Sequence, residues 1–194
     1  VEELPNIVGE SGGETRALGS IRPVCFFAGT LYKKIRNPEG PLKFLLSQSK
    51  FDVVFAGNIN DCDDIIDKYK NQYDHFTHIG MIDPEKVMEL YQSSDILINI
   101  DNSDLNKQAP GKIFAYITLK KVIVNFYEKQ SLSEPILRQR SLNDQSFISQ
   151  NTLQSSEQDI RQFVQLIESL KTNPENRFSV TDGYLTMSNL YQEV

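Results

Sequence analysis

A glycine and a lysine, Gly111-Lys112, open a short helical stretch, and this pair is the sharpest chemical feature of the 194-residue sequence. Free amides and the dipole at a helix start attract an anion, and Lys112 would add a mobile positive charge. A lysine there is electrostatically misplaced unless an anionic partner meets it; the plain alternative is a solvated side chain. A second basic group lies in Gly29-Thr30-Leu31-Tyr32-Lys33-Lys34-Ile35-Arg36-Asn37, where three cations follow a glycine that ends an apolar run. Gly57-Asn58-Ile59-Asn60 and Ile79-Gly80-Met81-Ile82 are further turns of this kind, and a fourth loop covers residues 101–110. Glycine after a strand lets the backbone turn sharply or approach a ligand closely. Simple turn geometry explains any one of these loops, but several on one sheet edge are harder to dismiss.

Other chemistries find little support. There is no Gly-x-Gly-x-x-Gly after the first strand and no Gly-x-x-x-x-Gly-Lys-Ser/Thr, which weakens dehydrogenase and P-loop readings. No serine sits in a nucleophile elbow. His75 and His78 fall in an extended stretch whose alternation puts them on opposite faces, a poor metal pair. Asp101, Asp104, Asp61, Asp63 and Asp64 invite a cation reading, but Asp61-Cys62-Asp63-Asp64 is explained by helix capping and the dipole. No metal and no cofactor are expected. Cys25 and Cys62 are too few for a disulfide framework and read as free thiols in a reducing compartment.

The elements that must position these loops follow from hydrophobic pattern. Val24-Cys25-Phe26-Phe27-Ala28, Val53-Val54-Phe55-Ala56, Ile96-Leu97-Ile98 and Val122-Ile123-Val124-Asn125-Phe126 are nearly all apolar, as strands buried on both faces are. A further strand is expected at 76–79, and a last one at 146–149. Helices are expected at 38–49 (Leu42, Leu45, Leu46 inward), 61–73 (Ile65, Ile66, Tyr69), from Asp83-Pro84-Glu85 onward (Val87, Met88, Leu90, Tyr91) and at 111–119. Two more follow: one after the capping box Ser155-Ser156-Glu157-Gln158, and one at 181–191. Strand–helix alternation implies an α/β, doubly wound, Rossmann-like parallel sheet with helices on both faces, in a single domain. Ligands bind such a sheet beyond the carboxyl ends of its strands.

Composition narrows the ligand. A formal net charge of -6 argues against nucleic acid, which needs a basic surface to displace phosphate counterions. A small phosphorylated ligand needs only a few local cations and amides. No apolar run approaches the ~18–20 residues of a membrane span, and no secretory signal is expected. The chain starts at Val1 in mid-pattern, so an excised piece of a longer protein is expected.

An ordered set of motifs carries a resemblance. Gly80 is followed by Leu90-Tyr91-Gln92-Ser93-Ser94-Asp95-Ile96-Leu97-Ile98-Asn99-Ile100, then Ala109-Pro110-Gly111-Lys112-Ile113-Phe114-Ala115-Tyr116-Ile117 and Lys120-Lys121-Val122-Ile123-Val124. Over residues 1–127 this resembles the donor-binding, carboxyl-terminal half of GT-B glycosyltransferases of the group 1 type. Leu4-Pro5-Asn6-Ile7 is similar to the segment crossing between the two halves.

The resemblance implies residues 1–20 as a linker or crossing arm and 21–194 as a nucleotide-sugar binding domain, with the acceptor domain absent. It implies a diphosphate held by Gly29, Thr30, Lys34, Arg36, Gly111, Lys112 and Ile113. Asn58, Gly80, Met81 and Ala115 would lie toward the base and ribose. Catalytic groups would sit on the missing amino-terminal domain of the same polypeptide, transfer would need no metal, and the isolated chain would be inactive. A role in cell-surface polysaccharide synthesis, in the cytoplasm or at the membrane periphery, would follow. The family's paired glutamates fall on Lys107 and Ala115, so one grip on the ribose is missing, and Thr118-Leu119-Lys120-Lys121 replaces the usual Gly-Lys-Pro. Two other classes stay open: a non-catalytic doubly wound binding module, and a nucleotide-sugar epimerase on the same scaffold.

Overall fold

The structure is a computed structural model that describes residues 8–11, 14–17, 22–102, 111–141, 147–152 and 157–170. Within the segment read as an arm, β1 (Val8–Ser11) and β2 (Glu14–Ala17) pair as an antiparallel hairpin. The apolar runs then form β3 (Val24–Ala28), β4 (Asp52–Ala56), β5 (Phe76–His78), β6 (Ile96–Ile100) and β7 (Val122–Tyr127), with β8 (Phe147–Asn151) as the last strand. Between them lie α1 (Glu39–Leu46), α2 (Asp63–Gln72), α3 (Pro84–Ser93), α4 (Lys112–Thr118) and α5 (Glu134–Arg140), and α6 (Glu157–Leu170) follows β8. The six long-range strands form one parallel sheet in the order β5-β4-β3-β6-β7-β8. The chain winds outward from β3 to β5, returns to the centre, and winds outward again from β6 to β8. The reversal leaves a crevice between the carboxyl ends of β3 and β6, where sheets of this kind bind ligands.

Alternation along each strand divides the core in two. Cys25, Phe27, Val53, Phe55, Ile96 and Ile98 face α1, α2 and α6, where Leu42, Ile66 and Phe163 meet them. Phe26, Val54, Leu97 and Ile123 face α3 and α4, packing on Leu90, Ile113 and Tyr116. Each such large apolar side chain contributes about 1.5–3 kcal/mol on burial, so both helix layers are firmly held. Cys25 and Cys62 are buried free thiols.

Several details differ from the sequence reading. A 3₁₀ turn (Asn60–Cys62) precedes α2, so that helix starts two residues later than expected. Pro84 does open α3, but Asp83 makes no side-chain capping bond. Helix α5 was not anticipated. It is seven residues long and fully buries only Leu137, so it carries no readable period. Ser146, the capping pair Ser155-Ser156 and the helix expected at 181–191 lie outside the described residues. Among the described residues, no helix is long and apolar enough to cross a membrane.

Candidate functional site

The loops beyond the strand ends are joined into one layer by backbone hydrogen bonds. Gly29 N–H donates to Ala56 O (3.0 Å), Leu31 N–H to Asn58 O (2.9 Å) and Gly57 N–H to Gly80 O (2.7 Å). The His78 ring nitrogen Nε2 lies 3.0 Å from Gly57 O. Gly57 has φ +116°, and a Cβ there would sit 2.1 Å from Gly29 O, so no larger residue fits where the first two loops touch. Gly80 has φ +69° and open space before it.

A tight turn aims Arg36 into the crevice. Arg36 N–H donates to Tyr32 O (2.8 Å), folding the loop back on itself. The guanidinium then donates from Nη1 to Thr30 O (3.0 Å) and from Nη2 to Asn102 Oδ1 (2.8 Å), bridging the ends of β3 and β6. Among the described residues its buried Nε has no hydrogen-bond partner. Both acceptors are neutral. Burial lowers the Arg36 pKa, opposed by nearby Asp101 and by the Tyr116 and Tyr32 hydroxyls.

Lys112, the first residue of α4, reaches the same place from the opposite side. Its Nζ lies 3.9 Å from the centre of the Phe27 ring and 3.4 Å from Ala28 O. Burial, and then the Arg36 charge, push its pKa well below the ordinary lysine value, with Asp101 opposing. No described carboxylate forms an ion pair with either cation.

The other expected site residues are placed less uniformly. Thr30 turns its carbonyl inward to Arg36, and Lys34 stands exposed on the turn. Lys33 is drawn away: its Nζ pairs with Asp64 (2.7 Å) and its amide with Asp61 Oδ1 (2.9 Å). Those acids therefore brace the first loop rather than cap the helix, which makes no side-chain capping bond. Asn58 uses Oδ1 on the amide of Asn60 (3.0 Å), within its own turn. Gly111 is exposed at the start of α4 with open space before it. Ile113 is fully buried in the core, so only its backbone amide remains for a ligand. Met81 is 76% exposed and Ala115 half-buried. Lys107, Asp104 and Pro110 lie outside the described residues.

Sequence reasoning missed a polar knot under this edge. Asn99, Asp101, Asn125, Ser131 and Ser133 are buried together. Asp101 Oδ2 accepts from Ser131 Oγ (2.8 Å), Leu132 N (3.0 Å) and Ser133 N (3.2 Å), while Oδ1 accepts from Asn99 Nδ2 (3.0 Å) and Ser133 Oγ. Asn99 Nδ2 also reaches Asn125 Oδ1 (2.6 Å). Asp101 is thus saturated by protein donors that fix the start of α5, and its candidacy as a cation ligand falls. Among the described residues, no group of three or more His, Cys, Asp or Glu side chains is placed to hold a metal ion. The signal was present: single asparagines interrupt two otherwise apolar strands.

The arrangement can do one thing well. It sets two cations, neither ion-paired with a described carboxylate, near the carboxyl ends of β3 and β6, which suits an anion. This fold is shared with part of larger solved proteins, glycosyltransferases of GT-B architecture and UDP-GlcNAc 2-epimerases among them. No family model and no curated protein matches the sequence. Solved structures do. Over 81% of this chain and 43% of its own, HepE from Anabaena, solved with UDP-glucose, superposes with a TM-score of 0.60 at 11% identity. A glycosyltransferase from Rickettsia africae gives 0.59 at 16% identity over 82% of this chain and 41% of its own. The UDP-GlcNAc 2-epimerase from Neisseria meningitidis, bound to UDP-GlcNAc, gives 0.55 at 15% identity over 80% and 40%. The chain thus spans about two fifths of the length of these neighbours. At such identities the likeness is one of fold.

Proposed function

We propose that this chain is the nucleotide-sugar binding half of a glycosyltransferase. The observation that carries the reading is the approach of Arg36, whose Nε has no partner among the described residues, and Lys112 at the switch point, neither paired with a described carboxylate. A diphosphate supplies the missing negative charge. Arg36 and Lys112 hold its oxygens, the amides of Gly111 and Ile113 and the region of Gly29 and Thr30 complete the cradle, and Lys34 adds long-range attraction. Gly80, Met81, Asn58 and Ala115 border the base and ribose. As the glycosidic bond breaks, the leaving nucleoside diphosphate gains charge, and pre-placed cations stabilise it without a divalent ion. The acceptor and the groups that act on it belong to an amino-terminal domain of the same polypeptide. The isolated chain then binds donor weakly and transfers nothing. The full protein works in the cytoplasm or at the membrane periphery, on cell-surface polysaccharide.

Calorimetric titration with UDP, GDP and ADP tests the reading. One of them binds, EDTA leaves the affinity unchanged, and Arg36→Met weakens it about 10- to 100-fold, the range for losing a charge-assisted bidentate contact. Absence of binding by all three refutes the proposal, and sugar transfer by the chain alone refutes its inactivity. A second reading, nucleotide-sugar epimerisation, is favoured by the epimerases among the structural neighbours. Epimerised UDP-GlcNAc in the NMR spectrum of a reaction with the full protein would select it.

A further inference from the structure

Two like charges in a half-buried crevice repel, and burial itself works against the Lys112 ammonium. Something must hold that ammonium charged and aimed. Its Nζ lies 3.9 Å above the centre of the Phe27 ring, within the range of a strong cation–π contact. The ring cannot turn away: Phe27 is fully buried, and its centre lies 4.9 Å from that of Phe55. Its neighbour Gly29 keeps the face open, since a Cβ there would lie 3.2 Å from Phe27 Cζ and 3.5 Å from Lys112 Nζ. Ala28 O, at 3.4 Å, adds a dipole on the same side. Two charged groups act on the ammonium. Arg36 repels it from the first loop, and Asp101 attracts it from the end of β6. The phenols of Tyr91 on α3 and Tyr116 on α4 are held neutral by burial.

We propose that Phe27 is a positioning residue of the anion site, its π face holding the Lys112 ammonium beside Arg36 where a diphosphate oxygen arrives. The inference rests on the diphosphate reading above and adds to it a residue inside β3 that touches no ligand. A neutral amine would leave Arg36 alone, so ligand affinity depends on how firmly the ring keeps Lys112 protonated.

The test replaces Phe27 with a phenylalanine carrying a trifluorinated ring, which preserves shape and drains the π face. UDP affinity at about pH 7.5 falls about fivefold, the equivalent of one cation–π contact. In the wild type, affinity also declines as pH rises through the lowered Lys112 titration, and fluorination moves this decline toward lower pH. Lys112→Arg keeps binding and loses the decline. In a Lys112→Met background, fluorination has no further effect, whereas a merely structural role for Phe27 would weaken both backgrounds alike. NMR of the Lys112 ε-carbon reads the contact without ligand, its titration midpoint falling on fluorination. An unmoved midpoint, or equal losses with and without Lys112, overturns the proposal. Failure of wild type to bind UDP, GDP or ADP at any pH, with the midpoint shift intact, sinks the diphosphate reading and leaves the Phe27–Lys112 contact standing.

Discussion

Gly57→Ala isolates what the close approach of the first two loops is worth. At φ +116° an alanine pays backbone strain of about 1–3 kcal/mol. Its Cβ would also lie 2.1 Å from Gly29 O and 2.9 Å from Gly29 C, and this obstacle is backbone rather than a flexible side chain. Neither loop can step aside cheaply. Gly29 N–H is bonded to Ala56 O, Leu31 N–H to Asn58 O and Gly57 N–H to Gly80 O, so relief of the clash breaks at least one of these bonds. A buried amide left without a partner costs about 1–3 kcal/mol, which brings the expected total to about 2–6 kcal/mol. Gly80→Ala is the control. It has φ +69° and meets nothing within 4 Å, so it pays only the left-handed strain, about 1–2 kcal/mol. Urea unfolding of the two variants measures the difference, and calorimetry with UDP reports whether the displaced first loop also loses ligand. Equal midpoints for Gly57→Ala and Gly80→Ala would refute the argument, because the whole cost would then be torsional and the contact with Gly29 irrelevant.

Lys112→Met should raise the urea midpoint while weakening UDP binding, because the folded state suppresses this ammonium; a gain of about 0.5–2 kcal/mol is typical of relieving strain at a site kept for function. A drop in midpoint would contradict the reading. Asp101→Ala strips the acceptor from Ser131, Leu132, Ser133 and Asn99 together and should cost about 3 kcal/mol or more by urea unfolding, with loss of amide protection at the start of α5. Burial, with Asp61 beside it, pushes the Cys62 thiol up to about 12, and burial raises Cys25 as well. The unfolded chain therefore loses thiol protons first, and the thiol contribution to stability falls as pH rises from the ordinary thiol range through about 12. Neither thiol should react with a disulfide reagent at neutral pH until urea unfolds the chain, and prompt labelling of the native protein would count against the burial.

The strands were legible because a strand covered on both faces is written as an unbroken apolar run, and four such runs in a βα alternation leave little choice of architecture. Arg36 and Lys112 follow the two strands that flank the reversal of winding, and this is why the sequence directs both toward one sheet edge. What the sequence concealed are contacts without a local period. Lys33 and Arg36 sit three residues apart in one basic loop, yet the fold gives Lys33 to Asp64 and frees Arg36 for the crevice. Helix α5 is held by the buried carboxylate of Asp101 and by Leu137, not by a repeating face of its own.

The two asparagines make the same point about register. Asn99 and Asn125 are direct partners across β6 and β7, joined through their side chains at 2.6 Å. A slip of one residue would set each asparagine against an apolar neighbour and turn every side chain of the strand to the opposite face. Apolar strands such as Ile96–Ile100 and Val122–Tyr127 distinguish poorly between neighbouring registers by packing alone, because isoleucine, leucine and valine interchange at modest cost. A buried polar pair discriminates sharply, since each misaligned amide is left unpaired. Register at Asn99 fixes Asp101 two residues on, and Asn102 after it carries the oxygen that holds Arg36. The polar knot therefore aligns the guanidinium from beneath, and the geometry of the crevice depends on residues that never reach it.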